Sequence, residues 1–83
     1  MNQAIQVLDG CTYIKAKNAL KVDVMSSGQM LACYIGESDR ESLIKLYNTK
    51  LFEIEEIIER NLKLDKFNSD GEIWLTAEEV AAY

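Results

Sequence analysis

The chain contains no histidine and no proline, and only two of its 83 residues are cysteines. Without histidine the protein cannot form a Ser-His-Asp triad, a Cys-His pair or a histidine-ligated zinc site. Cys11 and Cys33 lie too far apart for a CxxC motif and match no metal-ligand spacing. The four glycines form neither a P-loop nor a GxGxxG motif. These absences predict a protein that is not an enzyme and that holds no metal or cofactor.

Long hydrophobic runs are also missing. The longest uninterrupted apolar run, Met30–Ile35, has six residues, whereas a membrane-spanning helix needs about 20. The N-terminal residues show neither the basic start nor the apolar stretch of a signal peptide. We therefore expect a cytoplasmic protein with no membrane association and with both cysteines reduced.

Basic residues are few, with nine lysines and arginines against fourteen acidic residues and a net charge of −5. Residues 1–36 carry a net charge of +1, and residues 37–83 carry −6. Nucleic-acid binding needs clustered lysine and arginine, and Lys15, Lys17 and Lys21 are too few for it. The acidic half has two interpretations, a solvated helix face or a surface for a basic partner.

The chain length allows one domain with a modest core, so we treat residues 1–83 as a single compact domain. Apolar and polar residues alternate over Leu20–Val24, and the apolar run Met30–Ile35 follows after a Ser-Ser-Gly turn. This pattern predicts a β-hairpin. Residues 5–7 and 12–14 are weaker strand candidates that precede it.

The pattern becomes helical after the hairpin. Ser38 begins a Ser-Asp-Arg-Glu capping box, which predicts the start of a short helix. From Lys50 onwards apolar residues recur at helical spacing, and Phe52 and Ile57 widen the apolar stripe. We therefore expect a long amphipathic helix that packs its apolar side on the sheet.

The chain then returns to the sheet. Asn68–Gly71 has the composition of a turn, Glu72–Leu75 that of a short strand, and a second capping box at Thr76 opens a last helical turn. We expect Trp74 where the sheet and the helix meet. The order of elements predicts an α+β fold, in which a small antiparallel sheet combines the N-terminal strands, the hairpin and the returning strand, with the long helix on one face.

Residues 65–78 resemble an EF-hand calcium loop. With Gly71 at the sixth loop position, Lys66 and Ala77 occupy the first and twelfth positions, where calcium needs carboxylates. The favoured interpretation is a helix stop and a turn. The alternative is weak Ca²⁺ binding through three residues, Asn68, Asp70 and Glu72.

The two cysteines have different expected surroundings. Cys33 lies in the most apolar predicted strand and is expected to be a small core residue. Cys11 follows a glycine in a predicted turn, where it is either an incidental residue or an exposed, oxidisable thiol.

Strand alternation places Met30, Ala32 and Tyr34 on one face of the predicted hairpin. If the long helix covers the other face, this one exposes an apolar patch of the kind that marks association. The alternative is that both faces are covered within the monomer. The candidate contact residues are Met30, Tyr34 and Trp74.

Three segments together resemble a family of small bacterial proteins known as domain of unknown function fourteen-eighty-eight. They are the Met-Asn-Gln-Ala-Ile-Gln start, the strand Leu31–Ile35, and a Phe-led helix at Phe52–Leu64 followed by the turn, strand and Thr-led helical turn from Asp70. The resemblance covers nearly all of the chain. It implies a compact α+β domain, and it implies no activity and no catalytic residues.

These observations leave three hypotheses for the function. The first is a non-catalytic, cytoplasmic protein–protein interaction or regulatory domain, which would bind a protein partner or form a homodimer. The second is a ligand-binding module for a small molecule between helix and sheet, or for Ca²⁺ at residues 65–78. The third and weakest is an enzyme with a carboxylate pair, because the glutamates of the long helix lie on its predicted wet side.

Overall fold

The computed structural model describes residues 5–83, in which five strands form one sheet and three α-helices accompany it. A short 3-10 turn, Lys15–Lys17, joins the second and third strands. The elements are β1 (Ile5–Val7), β2 (Thr12–Ile14), β3 (Ala19–Ser26), β4 (Gln29–Gly36), α1 (Arg40–Thr49), α2 (Leu51–Lys63), β5 (Glu72–Thr76) and α3 (Ala77–Ala82). The predicted α+β fold class is confirmed.

The β3–β4 hairpin is the centre of the sheet, as its alternation predicts. Ser27 and Gly28 form a two-residue loop in which both have a positive φ, 52° and 80°. Such a loop matches the right-handed twist of the flanking strands. The register pairs Ser26 with Gln29 and continues to Leu20 opposite Ile35. β1 and β2 both pair with the far side of β3 in antiparallel fashion.

The direction of β5 differs from the predicted antiparallel arrangement of the sheet. β5 pairs with β4 in parallel, with Trp74 beside Tyr34, so the sheet is mixed rather than antiparallel. The reason is that α1 and α2 both lie between β4 and β5. They carry the chain back to the starting end of β4, and a strand that begins there runs in the same direction as β4.

The three α-helices pack on one face of the sheet, which we call the helix face. The side chains of β3, β4 and β5 alternate, so every second residue of these strands points towards the helices. The core consists of buried apolar side chains from both layers: Leu20, Val22, Val24, Cys33, Ile35, Leu43, Tyr47, Ile54, Ile58, Ile73, Leu75 and Val80.

The helix starts agree in part with the capping patterns. Thr76 caps α3 in a capping box, in which its hydroxyl accepts from the Glu79 N–H and the Glu79 carboxylate accepts from the Thr76 N–H. The first helix begins one residue later than predicted. Asp39, not Ser38, is its N-cap, and the Asp39 carboxylate accepts from the N–H and the hydroxyl of Ser42. Either side chain can cap a helix, and Asp39 is the residue with the extended backbone that a cap requires.

The apolar stripe of α2 is narrower than predicted. Ile54 and Ile58 are fully buried and Ile57 packs against the core, but Phe52 is 80% exposed. Residues two apart on a helix point in nearly opposite directions, so Phe52 cannot share the buried side of Ile54. Within residues 5–83, no helix combines the length and the apolar character that crossing a membrane requires.

Candidate interaction surface

The face of the sheet opposite the helices carries the candidate contact residues. We call it the outer face. Strand register and alternation place five apolar and three charged side chains on it. It is defined by eight residues: Lys21, Asp23, Met25, Met30, Ala32, Tyr34, Glu72 and Trp74.

An aromatic pair dominates the outer face. Tyr34 and Trp74 are register neighbours on the parallel strands β4 and β5, and their rings stack with centroids 4.7 Å apart and planes 21° apart. Stacking between neighbouring aromatic rings stabilises beyond the area it buries. Tyr34 is only 6% exposed, whereas Trp74 is 45% exposed. The tyrosine therefore supports the tryptophan, and the tryptophan is the side chain that meets solvent.

Lys17 extends over the aromatic pair. Its Nζ lies 5.2 Å from the centroid of the Tyr34 ring and 5.9 Å from that of the Trp74 ring. Both distances are within the range of a cation–π interaction. The 3-10 turn brings Lys17 there, and Asn18 ends that turn in the left-handed conformation, with a φ of 51°. This contact was missed by sequence reasoning, because no local pattern reports where a turn lies above a sheet.

Glu72 fixes the orientation of the tryptophan. Its Oε1 accepts hydrogen bonds from Trp74 Nε1 at 3.1 Å and from Asn68 Nδ2 at 3.2 Å. The hydrogen bond from Trp74 is the largest cause that lowers the pKa of the Glu72 carboxyl, followed by that from Asn68 and, more weakly, the positive charge of Lys17. Three contacts, with Tyr34, Lys17 and Glu72, thus hold the exposed indole in one position.

The three predicted contact residues share the outer face but do not form one cluster. Met30 is 53% exposed and lies four residues before Tyr34 on β4, which is about 13 Å along the strand. Ala32 lies between them. The expectation that Trp74 sits between sheet and helix is wrong. Ile73 and Leu75 point to the helices, and alternation sends Trp74 to the outer face.

The loop that resembles an EF-hand uses its polar groups internally. Asn68 Oδ1 accepts from the N–H groups of Asp70 at 3.0 Å and Glu72 at 2.9 Å, and the Asn68 N–H donates to the Glu72 carbonyl. This is the hydrogen-bonded turn that Asn commonly makes. In the part of the chain that the structure describes, no three His, Cys, Asp or Glu side chains group closely enough to hold a metal ion.

A groove of about 790 Å³ lies between the hairpin loop, the end of α2 and the loop at residues 65–71. Its apolar lining includes Met30, Leu31, Leu62 and Phe67, and its rim is polar. Met30 therefore borders both the groove and the outer face. The volume falls in the range of small-molecule sites.

Neither cysteine has the surroundings of a reactive thiol. Burial raises the pKa of Cys33 to about 12 and also raises that of the partly buried Cys11. The thiolate is the reactive form. Both thiols are therefore protonated at neutral pH.

The fold and this surface define a small α+β domain in which helices cover one face of a mixed sheet. No family profile matches the chain, and no curated protein sequence matches it. The structure is similar to the crystal structure of a protein of unknown function from the DUF1488 family of Shewanella loihica PV-4. The TM-score is 0.78 at 24% sequence identity, over 90% of this chain and 94% of the other. The fold implied by the resemblance to domain of unknown function fourteen-eighty-eight is thus confirmed.

Proposed function

We propose that this protein is a non-catalytic domain that works in the cytoplasm by binding a protein through the outer face. The observation that carries the proposal is the exposed Trp74, held in place on a sheet face that none of the three helices covers. Tryptophan, tyrosine and methionine are enriched at the centres of protein interfaces. The outer face carries all three types of side chain, and Met30 and Trp74 are the two exposed to solvent.

The rigidity of Trp74 supports the same conclusion. Binding a mobile side chain costs the entropy of ordering it, and a side chain that is already ordered avoids most of that cost. Trp74 stacks on Tyr34, donates to Glu72 and lies under Lys17 before any partner arrives. Such a preordered aromatic anchor is typical of the few residues that dominate binding energies.

Site-specific photo-crosslinking tests the proposal. A photo-activatable phenylalanine analogue replaces Met30 on the outer face or, as the control, Phe52 on the opposite side of the molecule. We expect a discrete crosslinked species from position 30 and none from position 52. The same species should disappear when Trp74→Ser is added, while the circular dichroism spectrum is unchanged.

The crosslinked species is then identified by mass spectrometry, and its affinity for the purified protein is measured with and without Trp74→Ser. A tenfold or greater loss of affinity would support the proposal. Equal crosslinking from positions 30 and 52, or binding that Trp74→Ser leaves intact, would contradict it.

Ligand binding in the groove beside Met30 is the second candidate. The volume and the apolar lining favour a small amphiphilic molecule, whose polar end would meet the polar rim. Ca²⁺ is less favoured there, because two backbone N–H groups already occupy Asn68 Oδ1. Native mass spectrometry of protein purified from its own host tests the groove, and thermal unfolding with Ca²⁺ or EDTA tests calcium binding. An added mass that Leu62→Gln removes would support the groove, and a melting temperature that differs between Ca²⁺ and EDTA would support calcium.

A further inference from the structure

We propose that the partner of the outer face is a second copy of this chain, packed face to face around a two-fold axis that crosses the strands. This inference rests on the proposed function and names the partner for the same surface. Three observations carry it: the state of the sheet edges, the distribution of charge, and the order of side chains across the outer face.

The sheet edges are poorly suited to pairing with another strand. At β5, the N–H and carbonyl of Glu72 bond to Asn68, and the N–H of Thr76 bonds to Glu79. The backbone groups of successive residues alternate between the two sides of a strand. Between Glu72 and Thr76, Trp74 is therefore the one residue whose N–H and carbonyl point away from β4, towards the open edge. The opposite edge consists of β1 and β2, with three residues each. Short and occupied edges prevent edge-to-edge association, which leaves the outer face.

Charge favours this face for the approach of two identical, acidic molecules. The three α-helices carry seven acidic and four basic side chains, a net charge of −3. The outer face, together with Lys17 above it, carries two basic and two acidic side chains, a net charge of zero: Lys17, Lys21, Asp23 and Glu72. Like charges that meet across an interface cost several kcal/mol. Two copies therefore repel each other less through their outer faces than through their helices.

The area is sufficient for a weak dimer. Eight residues in each of β3 and β4, five in β5 and three in each of β1 and β2, spaced about 4.8 Å across and about 3.3 Å along, give a face of roughly 430 Å². Two such faces bury on the order of 900 Å², which is in the range of weak, transient interfaces. We therefore expect a dimer that dissociates in the micromolar range of protein concentration.

The order of side chains makes the outer face complementary to itself. The register aligns the strands so that two neighbouring rows of residues cross the face, Lys21, Tyr34 and Trp74 in one row and Asp23, Ala32 and Glu72 in the next. A two-fold axis that runs between the rows places the first row of each copy over the second row of the other. Lys21 then faces Asp23 of the second copy. Trp74, the exposed member of the aromatic pair, faces Glu72 of the second copy.

Such an interface is isologous, so each of these contacts occurs twice. Aligned sheets cross at about 30°. The residue-to-residue contacts between the two copies therefore match best near the two-fold axis. Within one copy, Lys21 Nζ already lies 3.7 Å from Asp23 Oδ1, in a half-exposed pair. In the dimer the two pairs form a square of alternating charges around the axis.

Charge reversal tests both the dimer and its geometry. We expect sedimentation equilibrium to show a concentration-dependent dimer for the unchanged protein. Lys21→Glu and Asp23→Lys, each alone, should raise the dissociation constant at least about tenfold, because each places like charges together twice. An equimolar mixture of the two variants should recover dimers, since both interfacial pairs are then opposite in charge. Phe52→Ser, on the far side of α2, is the matched control and should leave the constant unchanged.

The outcomes separate this inference from the proposed function. A protein that stays monomeric up to millimolar concentration overturns the inference, and so does a dimer that Lys21→Glu leaves intact or that the mixture fails to recover. In those cases a crosslink from position 30 to a different protein would still support the proposed function. Circular dichroism and the unfolding midpoint of each variant verify that the fold is retained.

Discussion

The two faces of this sheet are built from the same strands and differ in composition and in exposure to solvent. On β4, Cys33 and Ile35 point to the helices and are fully buried, while Ala32 and Met30 point outward and meet solvent. The sheet residues of the helix face that form the core are all apolar, and the outer face mixes five apolar side chains with three that carry charge. The helix face therefore provides the stability of the fold, and the outer face is free to serve another purpose.

The largest expected effect compares two positions of β4 that lie on opposite faces. Ile35→Ala removes a fully buried side chain from the core, and such substitutions cost about 2–5 kcal/mol. Met30→Ala lies on the same strand but on the outer face, and we expect less than about 0.5 kcal/mol. Urea unfolding at pH 7 gives both values. A loss for Met30→Ala as large as that for Ile35→Ala would show that the outer face also stabilises the monomer.

The second largest expected effect is a loss of stability at alkaline pH, which acts through Cys33 on the helix face. The folded-state pKa of Cys33, about 12, lies above its ordinary value of 9.0. Its stabilising effect is therefore complete below pH 9 and is lost as the pH rises from 9 towards 12, by roughly 1.4 kcal/mol per unit. The free energy of unfolding should fall by about 2 kcal/mol between pH 9 and pH 11 on this account.

Matched variants isolate the contribution of this thiol. In Cys33→Ala the fall between pH 9 and pH 11 should be much smaller, whatever the stability of the variant at pH 7. Cys11→Ala is the control, because Cys11 is only partly buried, and it should keep most of the fall. Equal slopes in the unchanged protein and in Cys33→Ala would contradict the burial of this thiol.

The helix face was largely predictable from the sequence, because its features are local and periodic. Alternation identified the β3–β4 hairpin, helical spacing identified α2, and the Thr76 capping box identified α3. Each of these signals lies within a few residues of the element that it describes. The main errors on this side are also local: Asp39 rather than Ser38 caps α1, and Phe52 lies outside the apolar stripe of α2.

The outer face was less predictable, because its features join distant parts of the chain. The parallel direction of β5 depends on where α1 and α2 deliver the chain. The stack of Tyr34 on Trp74 depends on that pairing, and the position of Lys17 depends on a turn more than 50 residues earlier in the sequence than Trp74. Alternation predicted that Met30 and Tyr34 share a face, but not that Trp74 shields Tyr34 from solvent.

A smaller effect tests the cation above the aromatic pair. Lys17→Ala removes the cation–π contacts, and at an exposed site these contribute about 0.5–1 kcal/mol. Trp74 is the only tryptophan, so its fluorescence reports this site directly. We expect a small decrease in the free energy of unfolding together with a shift of the emission towards that of a more solvated indole. Lys15→Ala, in the same 3-10 turn, is the control, and an identical emission change in it would argue against a specific contact.

The smallest effect concerns the carboxylate that holds the indole. Hydrogen bonds from Trp74 and Asn68 lower the pKa of Glu72 below its ordinary range. The stability that this carboxylate contributes to the fold is therefore complete above that range and is lost as the pH falls through the lowered folded-state pKa. Because this carboxylate is exposed, the change in stability should be slight, but the fluorescence of Trp74 should titrate with a midpoint below 4.5, the ordinary pKa of a glutamate. In Glu72→Gln this transition should be absent, because the amide oxygen still accepts from the indole and does not titrate. A transition that persists in Glu72→Gln would assign it to another acidic group, and the indole would then lack the carboxylate partner that orders it.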